Sequence, residues 1–267
     1  MRMTFVVLIS LLWLAGCDSN DSTTGKDASH SAESDTHTHP APAPDTLVRV
    51  LHNLERTDEQ CEGDHCAQVS IEWVTFENQP ELNQAIETRL ASVLVQQEGN
   101  TPHDGTIEGL AEAFLTDASD MAMGSQGWSL SARVSRQSRR GDLLTLRFES
   151  NEYTGGAHGN PAVSFFHWDL AAQQRLSLDD LLVPGQQNAF WDLARTAHTQ
   201  WLDRQKLDRN FRESWPFDRT EQAYFSKQGL VLLYNVYHIA PYAMGQPELT
   251  LPYPQLDGIV RDSYLNP

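Results

Sequence analysis

The sequence predicts an α+β fold of two associated subdomains, each with an antiparallel sheet packed against helices. Three observations carry that prediction. The chain has 267 residues, 40% hydrophobic and 9% aromatic, enough to bury a large core. Segments that alternate apolar and polar residues come in groups. Segments with apolar residues at helical spacing lie between those groups, an order that fits α+β better than a doubly wound parallel sheet. There is no internal repeat or coiled-coil heptad. The N-terminal subdomain is expected over 46–150 and the C-terminal one over 151–267.

Leu47, Arg49 and Leu51 begin the first strand, and Val69, Ile71 and Trp73 alternate in the second. Pro80 opens a helix with Leu82, Ile86, Leu90, Val93 and Leu94 on one face. Ile107, Leu110, Ala111 and Phe114 mark another helix. Trp128, Leu130, Ala132 and Val134 form a strand, joined near Arg139-Arg140-Gly141 to a strand over Leu144, Leu146 and Phe148. In the second half, a strand runs from Val163 to Leu170, and Leu176 to Leu182 is a short strand entering a helical turn. Phe190, Leu193, Ala197 and Trp201 make an amphipathic helix. Tyr224-Phe225 and the run from Leu230 to Ile239 read as a hairpin across Lys227-Gln228-Gly229. A short strand at Leu249 and Leu251 and a short helix over Pro254 to Val260 close the fold.

Ahead of the body, Phe5 to Ala15 is an apolar run broken by Ser10. It is too short to span a bilayer, which takes about 20 apolar residues, and it has the length of a signal-peptide core. It ends in Leu14-Ala15-Gly16-Cys17, which resembles the bacterial lipobox. The resemblance implies that Cys17 is acylated and becomes the first mature residue, so residues 1–17 are a lipoprotein signal segment ending at the lipobox Cys, cut just before it. Several acyl chains would then hold the protein stably on a membrane facing the periplasm. Asp18 favours the inner membrane by the rule of enteric lipoproteins. An ordinary secretory signal with a chance cysteine is the alternative. Residues 18–45 are rich in Ser, Thr, Asp, Ala and Pro and read as a disordered tether. His30, His37 and His39 within it are scattered linker residues or, in a rarer reading, metal ligands.

Nineteen Lys and Arg against 36 Asp and Glu give a formal charge of −17. Repulsion from phosphate excludes general nucleic-acid binding. The body from residue 46 keeps 17 basic and 30 acidic residues, a balance of −13, which would attract a basic partner. Setting Cys17 aside leaves Cys61 and Cys66, an even pair that would close a small disulfide loop in an oxidising compartment. A metal or redox pair with His65 is the competing reading.

Two glycine-rich segments carry the most specific residues: Tyr153-Thr154-Gly155-Gly156-Ala157-His158-Gly159 and Tyr237-His238-Ile239-Ala240-Pro241-Tyr242-Ala243-Met244-Gly245. Closely spaced glycines permit positive φ and close backbone approach, useful to an anion site or to a tight turn alike. The first segment is neither a Walker loop nor a dinucleotide fingerprint. No cofactor and no metal site is assigned. Together with Leu176-Ser177-Leu178-Asp179-Asp180-Leu181-Leu182, Asn210-Phe211, Gly229-Leu230, Tyr234 and Leu251-Pro252-Tyr253, these segments make the sequence similar to the RsiV-type extracytoplasmic domain. That domain also precedes some peptidoglycan deacetylases and occurs in uncharacterised lipoproteins. The resemblance spans about Val50 to Val260 and implies an α+β fold of two subdomains. Its best-understood member binds lysozyme and reports it to a sigma factor. The present sequence lacks a sigma-binding segment, a spanning helix and a deacetylase domain, so only the binding module carries over.

The expected function is therefore a lipid-anchored envelope protein that binds a cationic protein such as lysozyme, or a cell-wall fragment such as peptidoglycan. Tyr153, Thr154, Gly155, Gly156, His158, Gly159, His238, Pro241, Tyr242 and Met244 are the candidate contacts. Two alternatives stand beside it: a structural or assembly lipoprotein, and a cell-wall-modifying enzyme. The enzyme reading needs His158, His167 and His238, with Glu152 or Asp169, to gather in one site. No nucleophile elbow is present, and no catalytic residue is assigned.

Overall fold

The computed structural model describes residues 47–59, 61–62, 65–95, 101–121 and 127–265. Cys17, the leader and the tether with its histidines lie outside the described residues. The fold is α+β, with a six-stranded and a three-stranded sheet. The large sheet runs in order β1 (Arg49–Thr57), β2 (Gln68–Phe76), β3 (Ser129–Arg140), β4 (Leu143–Tyr153), β5 (Asn160–Asp169), β6 (Gln174–Leu176). Between β2 and β3 the chain makes α1 (Pro80–Leu94) and α2 (Ile107–Asp120). The sheets are antiparallel as expected, with one exception. β2 and β3 are parallel, Gln68 facing Ser129 and Glu72 facing Arg133, because two helices return the chain to its starting end.

Local chemistry sets these elements. Cys61 and Cys66 form a disulfide just beyond the last β1–β2 pair, Thr57 and Gln68. Pro80 supplies the first turn of α1, where its missing N–H costs nothing. Asn83 then reaches back to β2, its Nδ2 donating to Phe76 O and its Oδ1 accepting from Phe76 N, both at 2.8 Å. Thr106 caps α2 by accepting from Gly109 N. The apolar faces of both helices cover the sheet, joining Leu82, Ile86, Leu90 and Leu110 to Ile71, Leu146, Phe148 and Phe166 in the first core cluster.

The second cluster forms under α3 (Gln187–Arg204), which packs on β9 of the small sheet: β7 (Ala223–Phe225), β8 (Gly229–Leu233), β9 (Glu248–Pro252). Three short helices, α4 (Arg209–Ser214), α5 (Tyr253–Leu256) and α6 (Asp262–Leu265), complete the body. Position 150 lies inside β4, and the large sheet continues through it. The two apolar clusters share β4 by strand alternation: Leu144, Leu146 and Phe148 belong to the first, and Leu143 to the second. On β5 the same alternation sends Phe166 and Trp168 into the first cluster. Val163 and Phe165 pack instead with Leu233 of β8. β6 pairs only with residues 167–169 of β5.

The upstream edge of β5, which pairs with no strand beyond β4, is sealed by side chains. Asn235 Oδ1 accepts from Val163 N at 2.8 Å while its Nδ2 donates to Val163 O at 3.0 Å. Gln222 Oε1 accepts from Phe165 N at 2.8 Å. Two carboxamides thus stand in for a neighbouring strand, which protects an edge that would otherwise present unpaired backbone groups.

Candidate functional site: two interlocked glycine-rich loops

The first loop leaves β4 at Tyr153. Gly155 and Gly156 have φ of 102° and 87°, the left-handed region that a side chain disfavours, and Tyr153 OH donates to Gly156 O. Gly159 has a different reason to be glycine: a Cβ there would lie 2.7 Å from Asn151 Oδ1 and 3.1 Å from Glu152 O. The second loop begins where β8 stops. The apolar run to Ile239 predicts a strand as far as Ile239, but the strand ends at Leu233. Asn235 has turned its amide to β5, His238 N donates back to Asn235 O, and Tyr237 takes φ of 64°. Ile239 and Ala240 are buried as core residues of this turn. A 3₁₀ turn over Tyr242–Met244 follows, ending at Gly245 with φ of 68°.

The loops meet through three rings. The His158 imidazole stacks on Tyr242 with centroids 3.6 Å apart and an interplanar angle of 15°. Its Nδ1 donates to Gly159 O at 2.9 Å, because a carbonyl can only accept. In the neutral ring Nε2 is then an acceptor, and Tyr237 OH lies 3.2 Å from it. Tyr242 OH donates to Gly159 O at 3.1 Å, tying the second loop to the backbone of the first. His158 and Tyr237 are exposed, Tyr237 at 54%, so the locked rings form a rigid aromatic surface.

The other candidates are placed differently. Met244 is half-buried and packs against the second core cluster. Thr154 is exposed, and Pro241 is half-buried at the start of the 3₁₀ turn. His238 Nε2 donates to Asp218 Oδ2 at 3.1 Å, above the buried Tyr234, whose OH donates to Asp218 O. The Asp218 carboxyl is held below its usual range by the Arg219 backbone N–H and then by His238. Burial, with Asp218 nearby, raises the Tyr234 phenol far above its usual value. His167 is sequestered on β5 at 3% exposure, with Nδ1 3.1 Å from Thr145 Oγ1. Burial and then the Arg175 charge lower its pKa to about 4. His158, His167 and His238 each serve a separate local contact. Among the described residues no group of three His, Cys, Asp or Glu side chains is placed to hold a metal.

Periodicity gives no sign of a cleft of about 960 Å³ bordering the first loop. Its described walls include Leu110, Phe114, Trp128 and Leu130, and Asp117, Asp120 and Glu152 bring carboxylates to it. Residues from two helices and two strands form it, so no single window of sequence contains its signal.

A crystal structure of a DUF3298 family protein from Pseudomonas aeruginosa superposes on the chain with a TM-score of 0.71 and 32% identity, covering 82% of this chain and 97% of that one. The chain belongs to the DUF3298 family. Residues 179–254 also match the profile of DUF3298, described as a protein of unknown function. The DUF3298 segment thus runs from the 3₁₀ turn at Asp179 to α5 and includes the whole second loop. A DUF3298 member from Bacteroides fragilis shares the fold, with a TM-score of 0.64 and 21% identity over 82% of this chain and 97% of its own. The search of curated proteins returned no match. Among the described residues no helix is long and apolar enough to cross a membrane.

Proposed function

We propose that this DUF3298 chain is an RsiV-like envelope binding protein, tethered by acylated Cys17 and facing the periplasm, with Asp18 favouring the inner membrane. Its partner is a cationic protein such as lysozyme, and a cell-wall fragment is the second candidate. The observation that supports the reading best is the rigid aromatic surface of His158, Tyr237 and Tyr242. Stacked rings already fixed in place lose little entropy when a partner covers them. The acidic balance of the body adds long-range attraction for a basic protein and raises the association rate at low salt.

The full chain in a non-ionic detergent is titrated with hen lysozyme at low and high salt. Saturable binding that weakens as salt rises is expected, and Tyr237→Ala with His158→Ala should weaken it at least tenfold. Absence of binding at low salt removes lysozyme as the partner. Undiminished binding by the double variant moves the contact away from these loops.

A further inference from the structure

A second cluster of polar groups lies at the junction of the two halves and shares no residue with the aromatic loops. Arg89 on α1 and Arg175 on β6 line one cavity of about 290 Å³ together with His167, Ser177 and Gln222. The same two arginines form a common wall with a neighbouring cavity of about 390 Å³. In a chain with almost twice as many acids as bases, facing arginines would ordinarily each find a carboxylate. Among the described residues neither has one within ion-pair distance. Arg175 instead lies over the Phe166 ring at 5.6 Å, and Arg89 Nη1 donates to Ser92 Oγ at 3.4 Å.

His167 borders the same cavity as a buried ring, 97% inaccessible, with its Nε2 sealed from solvent and the Ala223 backbone offsetting part of its shift. After burial, the charge acting on both Arg89 and His167 is that of Arg175. Three acids also reach the two cavities, the exposed Glu81 lining the larger one. Asp180 is occupied by Ser177, whose N and Oγ donate to its Oδ2, and its cationic neighbour is Arg261. Glu221 is exposed.

We propose that the groove flanked by Arg89 and Arg175 binds a phosphate-type dianion, either free phosphate or a phosphomonoester. Two forked guanidiniums match the oxygens of such a group bidentately. Its double charge balances both, where a monocarboxylate would leave one uncompensated. His167, buried at the edge of the groove with its pKa lowered to about 4, adds no competing positive charge at neutral pH. The second cavity leaves room for an organic substituent beyond the phosphate. This goes beyond the reading of the aromatic loops and stands or falls separately from it.

The test is calorimetric titration of the full chain in a glycosidic detergent, at constant ionic strength, with inorganic phosphate, glycerol 3-phosphate and acetate. One saturable site is expected for phosphate, with acetate at least tenfold weaker. Arg89→Gln and Arg175→Gln should each weaken phosphate binding at least tenfold, with Arg175→Lys between wild type and Arg175→Gln. The Arg89 and Arg175 Nε resonances should shift with the same saturation curve. Tighter binding of glycerol 3-phosphate identifies an organic monoester, equal binding identifies the free ion, and both support the site. Absence of saturable binding, equal affinity for acetate, or full retention of binding in both glutamine variants overturns it. Arg175 is exposed and its variants are expected to fold, so a failure of Arg89→Gln to fold leaves the test intact.

Discussion

Replacing Asn235 by Ala removes three hydrogen bonds at once. Asn235 Oδ1 accepts from Val163 N and from Gln246 Nε2, both at 2.8 Å, and Nδ2 donates to Val163 O at 3.0 Å. The lost bonds are worth about 1 kcal/mol each, and Val163 N and O are left at a partly buried edge where water reaches them poorly. A loss of about 3 kcal/mol of folding stability is expected. For a body of this size that corresponds to a fall in Tm of about 6–12 °C. Urea unfolding should show a lower midpoint with an unchanged slope, since the surface exposed on unfolding is the same. Thr250→Ala, at an exposed position of β9, is the control and should stay within about 0.5 kcal/mol of wild type. Hydrogen exchange adds a local readout, because the Val163 amide should lose protection more than its neighbours in β5. An Asn235→Ala loss below about 1 kcal/mol, with Val163 still protected, would refute the idea that a side-chain amide replaces a strand here.

Two further predictions follow from buried groups. His167 has its folded pKa lowered to about 4, against about 6.5 when unfolded. The unfolded chain therefore binds the extra proton first as pH falls. Stability should rise with pH between about 4 and 6.5, and up to about 3 kcal/mol should be lost on acidification through that window. His167→Gln should flatten this part of the pH profile in urea titrations; an unchanged slope would mean that another group carries it. At Gly229 an added Cβ would run into the Leu251 carbonyl across the β8–β9 pair and come within 2.9 Å of Pro252 Cα. Since backbone cannot step aside cheaply, Gly229→Ala should destabilise by at least about 3 kcal/mol or abolish soluble expression, and a fully stable Gly229→Ala protein would contradict the tight strand pairing.

Sequence patterns reveal elements well and their partners poorly. The alternation of Val69, Ile71 and Trp73 identifies β2, and Pro80 with its apolar stripe identifies α1, because one face of each must leave water. Nothing in that alternation says which strand lies alongside, so the parallel β2–β3 pair is invisible until the helices between them are placed. The end of β8 is hidden for a different reason. Ile239 and Ala240 are as apolar as a strand but are buried by a turn, and the break depends on Asn235 reaching Val163, 72 positions away. α4 carries a single apolar residue, Phe211, too little for a helical period, although Asp208 caps it by accepting from Phe211 N. The glycine-rich loops are legible as unusual backbone, while the stack of His158 on Tyr242 is a tertiary contact between segments that sequence leaves separate.

The long-range contacts explain why the aromatic surface can be rigid without lying in a core. Arg140, at the tip of the β3–β4 hairpin, donates from Nε to Tyr264 O at 2.6 Å and from Nη2 to Leu265 O at 3.1 Å. Its Nη1 reaches Tyr253 OH at 2.9 Å, and its guanidinium lies over the Phe225 ring. That clamp fixes one end of β4 to the second half of the body. Near its other end, Asn235 holds β5 beside the second loop, and Gln246, just past that loop, braces Asn235 in turn. The first loop joins β4 to β5, so its β5 anchor is held by the half that carries the second loop, while the Arg140 clamp fixes the far end of the same strand pair. The ring stack of His158 and Tyr242 therefore depends on the Asn235 seal more than on the Arg140 clamp. Asn235→Ala should speed hydrogen exchange at the backbone amides of the first loop, and an Arg140→Ala chain should leave them protected.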